Sequence, residues 1–152
     1  MQNRTKSLII LAVVMVIMLA VVGGAAAITD GELDGEGHPH VVLLLMEVGG
    51  EPAYRCSATM LTPTVVLTAG HCTSNYPDEP FTGMRVFTES DVEYGDNNYP
   101  YAGPNSVEAV SWAAHPLYET APFWFNDVGV VVLEEPGVTG LTTYGVLPEV
   151  DQ

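Results

Sequence analysis

The run Cys56-Ser57-Ala58-Thr59-Met60-Leu61-Thr62-Pro63-Thr64-Val65-Val66-Leu67-Thr68-Ala69-Gly70-His71-Cys72 holds two cysteines sixteen positions apart and sets a histidine beside the second. Val65 to Thr68 is β-branched and apolar, as a strand requires. Ala69-Gly70 then removes side-chain bulk where the chain must turn, so His71 is expected to leave the strand end on a tight corner. A disulfide between Cys56 and Cys72 would lock that corner. In the chain-entropy model, closing a loop of this length stabilises the fold by about 3 kcal/mol.

Working outward from this run, the amino terminus reads as an export signal. Residues 1–27 carry a basic head at Arg4 and Lys6, an apolar run from Leu8 to Val22, and a small-residue cleavage site at Ala25-Ala26-Ala27. The mature chain would begin at Ile28. The alternative is an uncleaved anchor, because the uncharged stretch 8–28 is long enough to span a bilayer. Removing residues 1–27 removes two bases and no acid, so the formal charge moves from −15 to −17 and no lysine remains. Such an acidic surface argues against nucleic acid and against anionic membrane as partners. In an exported, oxidising setting a structural disulfide is the default reading of two cysteines, and a zinc pair would need further ligands that are not evident nearby.

Beyond the signal, Val41 to Met46, Val65 to Thr68, Met84 to Phe87 and Val128 to Leu133 are short apolar runs separated by Gly, Pro, Asn and Asp. No later stretch holds a helical period over ten residues, so the expected class is all-β, a barrel or sandwich of one domain. Glu89 to Asn105, rich in Tyr, Gly, Asn, Asp and Pro, reads as a long surface loop. Gly137 to Gln152 reads as a departing connector.

The pattern Cys, small residue, strand, Thr68-Ala69-Gly70-His71-Cys72 resembles the histidine region of trypsin-like serine proteases. Asn126-Asp127-Val128-Gly129-Val130-Val131-Val132-Leu133 is similar to that family's Asn-Asp-Ile-Ala-Leu-Leu segment. The resemblance implies that His71 and Asp127 are two members of a catalytic triad, with Asp127 holding the imidazole in the tautomer that acts as general base. Ala114-His115-Pro116-Leu117-Tyr118 matches a His-Pro-x-Tyr segment, in which His115 is a loop residue without a catalytic role. Ile28-Thr29-Asp30-Gly31 resembles the family's mature amino terminus, usually Ile-Val-Gly-Gly, with Asp30 in place of a glycine. Cleavage after Ala27 would create the activating Ile28 ammonium by export itself.

The implied domains are the signal or anchor, 1–27, the amino-terminal barrel of the double-barrel fold, 28–137, and the start of an interbarrel connector, 138–152. Ser57, Ser74, Ser90, Ser106 and Ser111 lack glycines on both sides, and the family's Gly-Asp-Ser-Gly-Gly is absent from these residues. The expectation is an exported serine endopeptidase truncated before its serine, with the second barrel missing, inactive alone, and exposing a partly apolar barrel face. It would act on a peptide or protein substrate once completed by a second barrel. Alternatives are a secreted binding module that kept the barrel without the chemistry, and a membrane-tethered surface protein. No cofactor is implied. His38-Pro39-His40 could present two imidazoles on one strand face to a metal, but no third ligand is indicated. Glu89, Asp91, Glu93 and Asp96 offer calcium-type ligands, and a solvated acidic loop is the simpler reading.

Overall fold

The computed structural model describes residues 34–74, 80–120, 122 and 125–149. The expected signal, Ile28 and Asp30 lie outside the described residues. Among the described residues the backbone forms six strands: β1 (Val41–Val48), β2 (Glu51–Met60), β3 (Val65–Thr68), β4 (Phe81–Phe87), β5 (Ser106–Ala114) and β6 (Gly129–Leu133). All pairs are antiparallel, and they close into a barrel in the order β1-β2-β3-β6-β5-β4, with β4 pairing back to β1. Only two single 3₁₀ turns interrupt this all-β pattern among the described residues, at Gly70–Cys72 and Tyr118–Thr120.

Local sequence explains the closure. Gly49 and Gly50 have φ of 62° and 83°, a left-handed pair that side chains resist. They form the two-residue link between Val48 and Glu51, which face each other as the last pair of the β1–β2 hairpin. Side chains alternate inward along β1, and Val42, Leu44 and Met46 are buried. They meet Ala58 and Met60 of β2, Val66 of β3, Met84 and Val86 of β4, Ala109 of β5, and Val131 and Leu133 of β6 in one core. Phe87 and Leu45 are buried on the opposite side of their strands. There the ring of Tyr99, from the 89–105 loop, packs edge-on against Phe87 at 5.2 Å between centroids.

Four of the six strands coincide with the apolar runs, while β2 and β5 were not among them. In β2 the half from Glu51 to Arg55 is largely exposed and offers no apolar alternation. In β5 the pairing with β6 shifts register between Ala109 and Ser111. Val107, Ala109 and Trp112 pack toward the core, so the bulge breaks the period of two by which a strand is recognised.

The segment read as a departing connector runs along the barrel. Val138 is buried in the core, and its N–H donates to the Pro63 carbonyl at 2.8 Å. Leu141 and Tyr144 pack against the same core, and the Gly145 N–H donates to the Met60 carbonyl at 2.8 Å. The long loop is stitched by its own acids. Glu89 accepts from the side-chain amides of Asn97 and Asn105, and Asp91 accepts from the Tyr94 N–H.

The core assignment has a direct test. Leu44 is fully buried, so Leu44→Ala removes contacts that a closed barrel cannot regain by collapse. Urea unfolding of the oxidised chain is expected to show a loss of about 2–5 kcal/mol. A loss below about 1 kcal/mol would place Leu44 outside a packed interior.

Candidate active site

β3 ends at Thr68 and β6 begins at Gly129, and these two residues are paired across the sheet. The chain leaving β3 and the chain entering β6 therefore emerge side by side at one rim of the barrel. Past β3 the backbone turns through Gly70–Cys72, held by the Cys72 N–H on the Ala69 carbonyl and the Thr73 N–H on the Gly70 carbonyl. Cys72 is buried and joined to Cys56 of β2 by a disulfide. His71 is thus tied to two strands through its immediate neighbour, the corner that its sequence implied.

On the other side of the rim, Asn126 adopts φ of 57°, a left-handed conformation that asparagine tolerates better than most residues. This kink turns the chain just before β6 and aims Asp127 at the histidine corner. Asp127 Oδ1 accepts the backbone N–H of His71 at 2.8 Å. His71 Nδ1 lies 2.9 Å from Oδ2 and 3.2 Å from Oδ1. A carboxylate can only accept, so Nδ1 carries the proton, and in the neutral ring Nε2 is left with its lone pair. The two residues are 56 positions apart in sequence.

Burial raises the Asp127 carboxyl, but the hydrogen bonds from the His71 backbone and ring, with the charge of the ring and a further contribution from the Gly70 N–H, outweigh it and hold the carboxyl below the ordinary aspartate value. The Asp127 side chain is 26% exposed and that of His71 51%, so solvent reaches the pair from the rim.

The remaining candidate residues fall elsewhere. His115 stands at the end of β5, where its N–H donates to the Val128 carbonyl and its Nδ1 accepts from the Leu117 N–H; the ring thus pins its own turn. His38 and His40 lie in a turn before β1 and not in a strand. His38 is paired with Asp34 at 2.8 Å, and its ring meets that of His40 edge-on, 6.2 Å between centroids. Among the described residues, the group of three or more that brings metal-ligating atoms together is Cys56, His71 and Cys72, and its two sulfurs are bonded to each other. Glu89, Asp91, Glu93 and Asp96 do not converge as such a group.

The lowered Asp127 carboxyl gives a pH dependence of known sign. An aspartate held lower in the folded than in the unfolded chain contributes stability that is fully present above its unfolded value and is lost as pH falls through the folded one. Thermal midpoints of the wild-type chain and Asp127→Asn are therefore expected to differ at pH 6 and to converge as acid takes the chain through the lowered Asp127 value. A difference that is constant across that range would contradict the pairing.

The Trypsin family model matches residues 30–149. Scolexin B from Heliothis virescens is 36% identical over 93 residues, which cover 60% of this chain and 25% of that protein. The match therefore spans a quarter of this relative's length. Among solved structures, HL collagenase is similar with a TM-score of 0.53 at 21% identity, over 73% of this chain and 42% of its own. Protease Anisep from Arthrobacter nicotinovorans gives a TM-score of 0.45 at 20% identity, over 63% and 42%. The likeness to HL collagenase is one of fold, and its partial coverage fits one barrel of a two-barrel molecule. The family's match runs through most of the sequence and the six strands close its barrel, so the chain belongs to the trypsin family, as its amino-terminal barrel.

Proposed function

We propose that this chain is the general-base half of an exported serine endopeptidase, in which His71 takes the proton of a serine supplied from outside these 152 residues and Asp127 orients it. The observation that carries this reading is the pair of bonds from His71 to one carboxylate, backbone N–H to Oδ1 at 2.8 Å and Nδ1 to Oδ2 at 2.9 Å. Two bonds from one residue fix both the position and the rotation of the imidazole. The proton on Nδ1 leaves Nε2 as the basic atom, and Asp127 stabilises the imidazolium formed when Nε2 accepts the serine proton. The same nitrogen then returns a proton to the departing amine.

The sequence contains no Gly-Asp-Ser-Gly-Gly. The nucleophile, the oxyanion donors and the pocket that reads the substrate are therefore assigned to a second barrel. Val128, just before β6, and Val130, on the outward face of β6, are 46% and 38% exposed. Phe125, just ahead of the dyad carboxylate, is exposed as well. An apolar strip at the dyad rim suits a surface that a second barrel covers. Export is supported by the signal-like residues 1–27 and by the disulfide. No described helix is long and apolar enough to cross a membrane.

Two measurements test the reading. The coding DNA beyond Gln152 is expected to contain Gly-Asp-Ser-Gly-Gly in one frame, and its absence from every frame would favour the non-catalytic binding module. The protein joined to such a serine-bearing barrel is expected to cleave peptide esters. His71→Ala should lower kcat on the order of 10⁴-fold or more. Cleavage undiminished by that substitution would overturn the assignment.

A further inference from the structure

Gly129 and Thr73 occupy matching places in the two arms of the dyad, each two residues beyond the functional side chain. Gly129 follows Asp127 and opens β6; Thr73 follows His71 and closes the 3₁₀ turn. A side chain at Gly129 would put its Cβ 2.7 Å from the Ala69 carbonyl oxygen and closer still to the Thr73 hydroxyl oxygen, which no real Cβ tolerates. The space that a side chain would need is already filled by the Thr73 side chain and the Ala69 backbone. The same Thr73 is buried at 3% exposure, and its Oγ1–H donates to the Gly70 carbonyl at 3.1 Å. That carbonyl also accepts the N–H groups of Thr73 and Ser74, both at 2.9 Å. One threonine hydroxyl thus braces the turn that carries His71 and is also the atom nearest the place a Gly129 side chain would need, at the start of the strand that Asp127 leads into.

We infer that Thr73 is a positioning residue for the His71–Asp127 pair, setting the separation of the two arms through its contact with the bare backbone of Gly129. It touches neither a substrate nor the reacting atoms, and its catalytic meaning rests on the function proposed above. The backbone hydrogen bond from His71 to Asp127 needs the two arms at one spacing, and both ends of that spacing meet at Thr73. Gly129 is held by Thr68 on one side and by Ala114 on the other. It cannot move away without breaking the barrel seam. Relaxation after loss of the Thr73 contact therefore falls on the turn, and with it on His71.

The test compares Thr73→Val, which keeps the shape and loses the hydroxyl, with Thr73→Ser, which keeps the hydroxyl, in the full oxidised chain. Proton NMR reads the low-field Nδ1–H signal of His71, and carbon NMR reads the titration of the Asp127 carboxyl. Circular dichroism checks the sheet. Thr73→Val is expected to keep the sheet spectrum, lose or shift upfield the Nδ1–H signal, and raise the Asp127 midpoint toward the ordinary aspartate value. Thr73→Ser is expected to restore both readings. Gly129→Ala, which pushes the arms apart from the other side, is expected to match Thr73→Val in both readings. An unchanged Nδ1–H signal in folded Thr73→Val, a Thr73→Ser variant no better than Thr73→Val, or outright loss of the sheet in Thr73→Val overturns the inference. None of these readings uses a serine or a substrate, so they stand apart from the fate of the proposed function.

Discussion

The pairing of β3 with β6 is the constraint from which the rim follows. These strands are short, and their register is set by what they bury: Val66 from β3 and Val131 and Leu133 from β6 point into the core, while Leu67 and Val130 face outward as partners. A slip of one residue would turn Val130 inward and Val131 outward, exchanging buried for solvated apolar surface along the whole strand. The hydrophobic core therefore fixes the register. The register in turn places Thr68 opposite Gly129, and that pair sets the distance between His71 and Asp127. A contact between residues 56 positions apart is thus held by apolar packing beneath it, and the hydrogen bonds of the dyad refine a geometry that is already in place.

Electrostatics alone would not assemble such a pair in this chain. With a formal charge of −15, from 19 acids against 4 bases, one histidine has no electrostatic reason to select one aspartate. Selection comes from the backbone. The left-handed Asn126 and the 3₁₀ turn at Gly70–Cys72 bring one carboxylate against both an N–H and a ring nitrogen of the same residue. Two donors on one acceptor then outweigh the desolvation of a carboxylate that is only a quarter exposed. The contrasting case is Asp34 with His38, a pair of similar length on the open surface at positions four apart. There the His38 N–H and Nδ1 also both meet one carboxylate, at 2.8 Å each, but within a single turn, so local proximity suffices and no strand pairing is needed.

Much of this arrangement was legible from residues, and the illegible parts share a cause. β1, β3, β4 and β6 were visible because their cores are uninterrupted apolar runs, and the corner at His71 because small residues and a cysteine flank it. β2 escaped because half of it faces solvent, and β5 because its bulge leaves Val110 exposed and resets the alternation. A period of two is a statement about an unbroken ladder, and both strands break it. The course of residues 138–145 along the barrel is illegible for a related reason. Glycines and threonines suggest a departing connector, and the backbone of Val138 and Gly145 reaches carbonyls at Pro63 and Met60 on the way, but a composition does not show where acceptors wait. The role of Gly129 was invisible too, since a glycine at a strand start reveals nothing of the threonine opposite it in space.

The exposure of the dyad bears on what this barrel contributes under the proposed function. With 51% of the His71 side chain accessible, water competes for the ring and screens the charge of Asp127, so the pair is weaker on an open rim than in a dry site. Its geometry does not depend on that cover, because the disulfide to β2, the 3₁₀ turn and the β3–β6 seam all lie within this barrel. Its strength does. Val128 and Val130 stand exposed where the chain leads from Asp127 into β6, so a partner that buried those valines would exclude water from the neighbouring carboxylate in the same movement. The hydrophobic contact that would hold two barrels together and the drop in local dielectric that would strengthen the general base are then one event, and the sequence places both on the few residues that follow Asn126.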